Sequence, residues 1–151
     1  EKSLLGLVNF PELNKHYISD KNKSYLYKNK KKYILKSSNN INLRTARIIT
    51  QGNINYKKLS KIIVKFGPLF RIASFDALNF CLLAEGKVDA VIEQNLKPYD
   101  ILPLIPIINN SGGVISNWKG EPAEKGGNII ASSNRNLHNK IIKLLKPFTK
   151  K

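Results

Sequence analysis

Apolar and polar residues follow two periods along the chain, one typical of strands and one typical of helices. Short stretches with strand character cover residues 4–10, 15–19, 24–27, 33–35, 47–50, 69–72, 88–93, 114–116 and 128–131. Apolar residues at helical spacing cover residues 56–66, 76–85, 101–111 and 134–145. Because helices are interleaved with strands, these patterns predict a layered α/β fold in one domain.

Residues suited to helix ends support these boundaries. Asn134 is the expected N-cap of the last helix, and Gly112-Gly113 is the expected C-cap of the helix at 101–111. Pro103 suits the first turn of that helix, where its missing N–H does no harm, whereas Pro106 would loosen the turn. The sequence therefore predicts one apolar helix between the strand at 88–93 and the strand at 114–116.

The positive charge is concentrated in the first half of the chain. The formal net charge is +16, and residues 1–75 contain 16 Lys or Arg against 3 acids. One interpretation is an electropositive surface that attracts phosphate esters or nucleic acid. We favour the other, a compositional bias, because only four of the 26 basic residues are Arg, the residue that clamps phosphate with a bidentate fork. The lysines of residues 28–32 are expected at a solvated hairpin tip.

Several classes of protein are not expected. The apolar runs are too short and too broken to span a bilayer, and no leader opens the sequence, so we expect a cytoplasmic protein without a membrane partner. The single cysteine, Cys81, fits a reducing compartment and a buried core position. His16 and His138 have no ligating neighbours at zinc spacing. No P-loop, nucleophile elbow or dinucleotide fingerprint occurs.

Chemistry is expected between Gly86 and Gly113. The predicted strand at 88–93 ends in Glu93, and Asp100 lies after a proline-stiffened turn and just before the apolar helix. A carboxylate beside so many apolar residues costs free energy unless it is paired or binds a metal. These two carboxylates are therefore the first candidates for a functional site.

The sequence Lys97-Pro98-Tyr99-Asp100, followed by an apolar helix and Gly112-Gly113-Val114, resembles the C-terminal signature of the inositol monophosphatase superfamily, nearest its histidinol-phosphatase-like branch. The resemblance covers about residues 71–145. It implies a layered α/β sandwich of the inositol monophosphatase and sugar phosphatase type, with this chain as its C-terminal portion. Residues 1–70 would be the end of the central sheet with a basic hairpin and a helix, and residues 71–151 the C-terminal α/β subdomain.

The resemblance also implies an activity and roles for four residues. Asp100 matches a ligand of the catalytic Mg²⁺, Glu93 and Asp76 match substrate contacts, and Ser74 lies in the same substrate-binding segment. The implied reaction is the Mg²⁺-dependent hydrolysis of a small phosphorylated metabolite such as histidinol phosphate or inositol monophosphate. The resemblance implies a homodimer as one assembly and leaves the oligomeric state open.

Each of these roles has a structural alternative. Asp100 could be the N-cap of the helix that it precedes. Glu93 could face water at the end of its strand, and Asp76 could be an acidic residue at a helix N-terminus. Ser74-Phe75 stands where the histidinol-phosphatase-like branch has two glycines, and this departure leaves the substrate open.

Three other residues are weaker candidates for a role in the site. Lys97 could neutralise substrate phosphate or pair with Glu93, and its alternative is a lysine on a surface turn. Tyr99 and Trp118 are expected as aromatic residues of the core or its rim rather than as rings on which a ligand stacks.

The two upstream metal-binding motifs of the superfamily, a Glu-Glu pair and an Asp-Pro-x-Asp-Gly-Thr loop, do not occur in the 151 residues. We therefore expect this chain alone to be inactive unless another chain supplies them. The alternative from a different class is a basic, non-catalytic module that binds nucleic acid or another polyanion through residues 21–36. Nucleic acid is the less expected partner. Steep salt dependence that Asp100→Asn does not change would identify such a module.

Overall fold

A computed structural model describes residues 3–50, 66, 70–72 and 75–149, with the backbone alone at 70–72. The predicted helix over 56–66, apart from Phe66, lies outside these residues, and so does the candidate site residue Ser74. The remaining predictions can be compared with the structure directly.

The first sheet consists of four antiparallel strands in sequence order. They are β1 (Gly6–Phe10), β2 (Lys15–Ser19), β3 (Ser24–Lys28) and β4 (Lys31–Ile34). The predicted strands are confirmed, but the hairpin tip is shorter than residues 28–32. Lys28 pairs with Lys31, and only Asn29 and Lys30 form the turn, with φ angles of 50° and 63°. Both residues adopt the positive φ that two-residue hairpins require.

The second sheet is mixed and has the strand order β6-β5-β7-β9-β8. Its strands are β5 (Ile48–Thr50), β6 (Phe70–Ile72), β7 (Ala90–Leu96), β8 (Val114–Asn117) and β9 (Gly127–Ser132). β5 is parallel to β6 and β7, whereas β9 is antiparallel to β7 and β8. β7 runs three residues beyond the predicted strand end at Glu93, so the turn before Asp100 is shorter than expected.

Four α-helices are described. They are α1 (Asp76–Ala84), α2 (Pro98–Ile101), α3 (Leu104–Asn109) and α4 (Arg135–Leu145). The prediction of one continuous helix over 101–111 is wrong, because α2 and α3 are separated at Leu102 and Pro103. Pro103 and Pro106 both lack the N–H that would continue the helical hydrogen bonds. The predicted N-cap is confirmed, because Asn134 accepts a hydrogen bond from Leu137 N at 2.9 Å. The predicted C-cap at Gly112-Gly113 is wrong, because α3 ends at the C-cap Asn110; Gly112, with φ +95°, lies in the turn after it.

The second sheet is buried on both faces, which gives the protein its layers. Val91 of β7 faces a core shared with α1, α3 and the first sheet, whereas its neighbours Ala90 and Ile92 face α4. Side chains that alternate between two apolar environments are what a central sheet requires. We call the core between the two sheets, which contains Val91, the first core. Cys81 is fully buried in it, as predicted. Across the described ranges, no helix has both the length and the apolar character needed to cross a membrane.

Candidate functional site

Two acidic residues from other elements lie close enough to Glu93 for their charges to raise its pKa. Glu93 is in β7, Asp76 is the first residue of α1, and Asp100 is in α2. Glu93 is fully buried, and burial raises its pKa to about 7, with further upward contributions from the charges of Asp76 and Asp100. The structure therefore brings together three of the four predicted site residues.

Glu93 is placed in the interior by the period of its strand. It lies on the same face of β7 as Val91, and the register of β7 against β9 shifts between Glu93 and Leu96. Nδ2 of Asn79 lies 3.5 Å from Oε1 of Glu93, and Oε2 has no hydrogen-bond partner among the described residues. The alternative that Glu93 faces water is wrong. An incompletely paired buried carboxyl group is costly, and such groups are more frequent at functional sites than in ordinary cores.

Asp100 is half-buried within the first turn of α2. Its Oδ2 accepts a hydrogen bond of 2.7 Å from the backbone N–H of Lys97, the residue before the helix. The alternative that Asp100 is the N-cap in front of the helix is wrong, because Asp100 is the third helical residue; its carboxylate accepts from the N–H of Lys97, the actual N-cap. A carboxylate accepts several hydrogen bonds or metal bonds, so this single bond leaves it able to ligate.

A close backbone contact holds the segment that carries Asp100. Gly126 has φ +69°, and a Cβ at this position would lie 2.4 Å from the carbonyl oxygen of Leu96 and 3.1 Å from Pro98 N. Only glycine fits this conformation and this spacing without displacement. Gly126, the residue before β9, therefore lets the start of α2 lie directly against the second sheet.

The donor chemistry at this position suits a hard cation, but the described residues do not complete a metal site. Asp100 offers carboxylate oxygen, the ligand type that Mg²⁺ prefers. Within the described part of the chain, no group of three His, Cys, Asp or Glu side chains is placed to hold a metal ion. Asp100 therefore fits as one ligand of a set whose other members are not among these residues.

The other candidates are dispersed. Tyr99 is 76% exposed, so the prediction that it lies in the core or at its rim is wrong. Trp118 is buried, as predicted, and its Nε1 donates to the carbonyl oxygen of Ile129 at 3.1 Å. Lys97 is exposed and contacts Asp100 through its backbone N–H. Phe75 is 66% exposed beside α1, at the position where the sequence departs from the histidinol-phosphatase-like pattern.

Sequence reasoning missed Asp89, which is fully buried at the start of β7. Its Oδ1 accepts from Arg47 Nη2 at 2.8 Å, and its Oδ2 accepts from Arg47 Nε at 3.0 Å; Ser38 and Asn40 also donate to it. Burial alone would raise the pKa of Asp89, but the hydrogen bonds from Arg47 and Ser38 outweigh burial and hold it below the ordinary value. Asp89 thus joins Ser38 and Asn40, in the segment between β4 and β5, to the second sheet.

The contact between Arg47 and Asp89 follows from the pairing of two strands and not from the sequence alone. Arg47 immediately precedes β5, Asp89 immediately precedes β7, and the two parallel strands pair with Ile48 opposite Ala90. Charged residues of opposite sign at the starts of adjacent parallel strands are neighbours in space. The pairing of β5 with β7 was needed to see it.

The two layered sheets, the helices between and beside them, and the carboxyl groups around Glu93 of the central strand β7 define a layered α/β protein with a candidate polar site. The sequence model of the inositol monophosphatase family matches residues 1–149. The chain therefore belongs to the inositol monophosphatase family.

Individual relatives match parts of the chain. A chloroplastic bifunctional phosphatase of Arabidopsis thaliana is 35% identical over 79 residues, which are 46% of this chain and 23% of the relative. Histidinol-phosphatase of Mycobacterium tuberculosis is 30% identical over 75 residues, which are 49% of this chain and 28% of the relative.

The match to solved structures is more extended. An inositol monophosphatase from Zymomonas mobilis matches with a TM-score of 0.83 and 25% identity, over 96% of this chain and 58% of the solved chain. This chain therefore spans less than two thirds of the solved relative.

Proposed function

We propose that this chain is part of a metal-dependent phosphomonoesterase that acts on a small phosphorylated metabolite. Its family membership and its similarity to proteins named histidinol-phosphatase and inositol monophosphatase support this proposal. The observation that carries it is the buried carboxyl group of Glu93, incompletely paired and close to the charges of Asp76 and Asp100.

In this proposal each carboxyl group has a separate task. Asp100 is a ligand of Mg²⁺, and the metal, when bound, activates water and offsets charge on the phosphoryl group. Glu93 accepts a hydrogen bond from a hydroxyl or ammonium group of the substrate, which its raised pKa makes favourable, because a bound donor relieves the cost of ionising a buried carboxyl group. Asp76 adds negative charge on the same side and favours a substrate with a cationic tail.

The proposal includes inactivity of these 151 residues by themselves. Asp100 is one candidate ligand, and Mg²⁺ in phosphoryl-transfer sites is commonly held by one or two carboxylates together with substrate phosphate and water. The upstream carboxylate motifs of the family are not in this sequence. The other carboxylates would come from protein outside it.

The proposal is tested on the protein encoded by the longest reading frame that contains this sequence. Phosphate release from histidinol phosphate and from inositol monophosphate is measured with and without Mg²⁺. We expect Mg²⁺-dependent release that Asp100→Asn abolishes. Glu93→Gln is expected to raise KM more than it lowers kcat, because Glu93 contacts substrate away from the phosphoryl group. Asp20→Asn, on the exposed turn between β2 and β3, is the control and should leave both parameters unchanged. Full activity of Asp100→Asn would contradict the metal role.

A further inference from the structure

One edge of the first sheet has no neighbouring strand within the described part of the chain. β4 is the last strand in the order β1-β2-β3-β4, and it pairs with β3. The backbone N–H of Leu35, just after β4, donates to the carbonyl oxygen of Ser24 at 2.8 Å and so points toward β3. Because this direction alternates along an antiparallel strand, the N–H and C=O groups of Lys32 and Ile34 point away from β3. We call these four backbone groups the β4 edge.

A cleft lies beside the β4 edge, between the inner face of the sheet and the end of α1. It has a volume of about 440 Å³, and its lining includes the side chains of Leu26, Tyr33 and Leu35. Tyr33 pairs with Leu26 and is 48% exposed, whereas Leu26 and Leu35 are buried. In an added strand, the residue opposite Tyr33 would point to the same face of the sheet and enter the cleft. The cleft is therefore suited to one apolar side chain of an added strand.

Lysines make the surroundings of the cleft positive. Lys28 and Lys36 line it together with Glu85, whose charge is offset by two other lysines. Nζ of Lys15 lies 3.0 Å from Oε1 of Glu85, and Nζ of Lys87 lies 2.6 Å from Oε2. A carboxylate that approaches the cleft would therefore meet the charges of Lys28 and Lys36. This distribution of charge favours acidic residues on either side of the apolar side chain.

Lysines also limit which strands can join the β4 edge. Residues 28–36 contain five lysines and no acidic residue. Lysines on an edge strand hinder its pairing with another copy of itself, since like charges on adjacent strands destabilise the pair. Opposite charges stabilise the pair, so a strand that carries Asp or Glu is favoured over a second copy of β4.

We propose that the β4 edge binds an extended, acidic segment of a partner protein by strand addition. The backbone of the segment hydrogen-bonds to Lys32 and Ile34, and one apolar side chain fills the cleft. Asp or Glu residues on either side of it lie near Lys28 and Lys36. In this mode of recognition, main-chain hydrogen bonds supply affinity, and pockets for alternate side chains supply specificity. The inference does not depend on the phosphatase activity.

Fluorescence anisotropy with labelled synthetic peptides tests this proposal on the protein encoded by the longest reading frame that contains this sequence. The acidic peptide has a central Val-Thr-Ile-Thr-Val run with an Asp-Glu pair at each end. The basic peptide has Lys in place of all four acids. Two further acidic peptides carry N-methyl groups on alternate amides of the run, one on the Thr amides and the other on the Val and Ile amides. Each of these two peptides therefore has a single blocked edge.

We expect saturable binding of the acidic peptide and affinity for the basic peptide that is weaker by roughly tenfold or more. One N-methylated peptide should lose binding and the other should retain it, because only one edge of an added strand faces β4. Absence of binding by the acidic peptide, or binding by both N-methylated peptides, would overturn the proposal. Equal affinity for the acidic and basic peptides would also overturn it.

Two double variants locate the binding surface. Lys28→Glu with Lys36→Glu reverses the charge at the cleft and should weaken binding of the acidic peptide by roughly tenfold or more. Lys119→Glu with Lys143→Glu is the matched control, because both lysines are exposed and lie away from the first sheet, in the loop after β8 and on α4. The control should change the affinity by less than about twofold. Equal effects of the two double variants would overturn the proposal.

The N-methylated peptides decide the question if the cleft variant does not fold, because they leave the protein unchanged. An oligouridylate separates strand addition from general attraction of polyanions. Displacement of the acidic peptide by an oligouridylate of equal charge would assign the surface to nucleic acid and overturn the proposal. Retention of the peptide at that concentration supports it.

Discussion

Asn79 of α1 and Glu93 of β7 face each other across the first core, with Nδ2 of the amide 3.5 Å from Oε1 of the carboxyl group. The distance is long for a hydrogen bond, and Oε2 of Glu93 has no partner among the described residues. The protein thus holds a titratable group in its interior with little compensation. Its pKa of about 7 follows from that arrangement.

Glu93 should make stability depend on pH. Its pKa is higher in the folded chain, about 7, than the ordinary 4.5, so its contribution is fully present below pH 4.5 and is lost as pH rises through 7. The change amounts to at most roughly 3 kcal/mol. We expect Glu93→Gln to remove this loss, so that the variant gains stability relative to the parent as pH rises. Urea unfolding of both proteins at several pH values measures the difference.

Glu12→Gln is the control for this comparison, because Glu12 is an exposed glutamate in the turn between β1 and β2. Its stability should follow that of the parent at every pH. If the free energy of unfolding of Glu93→Gln also changed with pH as that of the parent does, Glu93 would ionise in the folded chain as easily as in water.

Substitution of Asp89 should lower the free energy of unfolding more than substitution of an exposed polar residue. Asp89→Asn removes the charge that balances Arg47 and converts one accepting oxygen into a donor that faces the donors of Arg47 and Asn40. We expect a loss of about 2–3 kcal/mol, below the value for a fully buried pair, because the Arg47 side chain is 42% exposed. Denaturant unfolding at neutral pH measures it. Asp20→Asn, the same change in an exposed turn, should cost much less.

The predictable part of the fold was the part that periodicity encodes. Strand residues such as Val91 and Ile92 alternate between two apolar cores, and the C-terminal helix has both its N-cap and its apolar stripe in the sequence. Local patterns also located Glu93 and Asp100. They did not show that Glu93 turns inward, because one strand gives no indication of which face a later sheet will cover.

The missed features depend on contacts between distant residues. The break between α2 and α3 could have been read from Pro103 and Pro106 together, since each removes a helical donor. The Arg47–Asp89 pair could not be predicted in this way. The two residues are 42 positions apart in the sequence and meet only because β5 pairs with β7. The role of Gly126 likewise depends on where Leu96 is placed.

His138 should give the opposite pH dependence from Glu93. It is buried in α4, its Nε2 lies 2.9 Å from Ser116 Oγ, and burial, with the nearby charge of Arg135, lowers its pKa from 6.5 to about 4. Its contribution is fully present above pH 6.5 and is lost as pH falls through 4, by up to roughly 3 kcal/mol. We expect His138→Gln to reduce this acid sensitivity. Proton NMR titration of the imidazole measures its pKa directly.

A His138 resonance that titrates near the ordinary histidine pKa of 6.5 would contradict the effect assigned to its burial. Unchanged acid sensitivity in His138→Gln would show that other groups cause the acid transition.

Two adjacent glycines separate the effect of backbone conformation from that of close packing. Gly126 and Gly127 have φ angles of +69° and +91°, but a Cβ on Gly126 would meet Leu96 O at 2.4 Å, whereas one on Gly127 would meet nothing within 4 Å. We expect Gly127→Ala to cost about 1 kcal/mol for its conformation alone, and Gly126→Ala to cost about 3 kcal/mol or more. Denaturant unfolding measures both. Because Gly126 lies against the start of α2, Gly126→Ala should also displace Asp100. Equal losses of stability at Gly126 and Gly127 would contradict the packing role of Gly126.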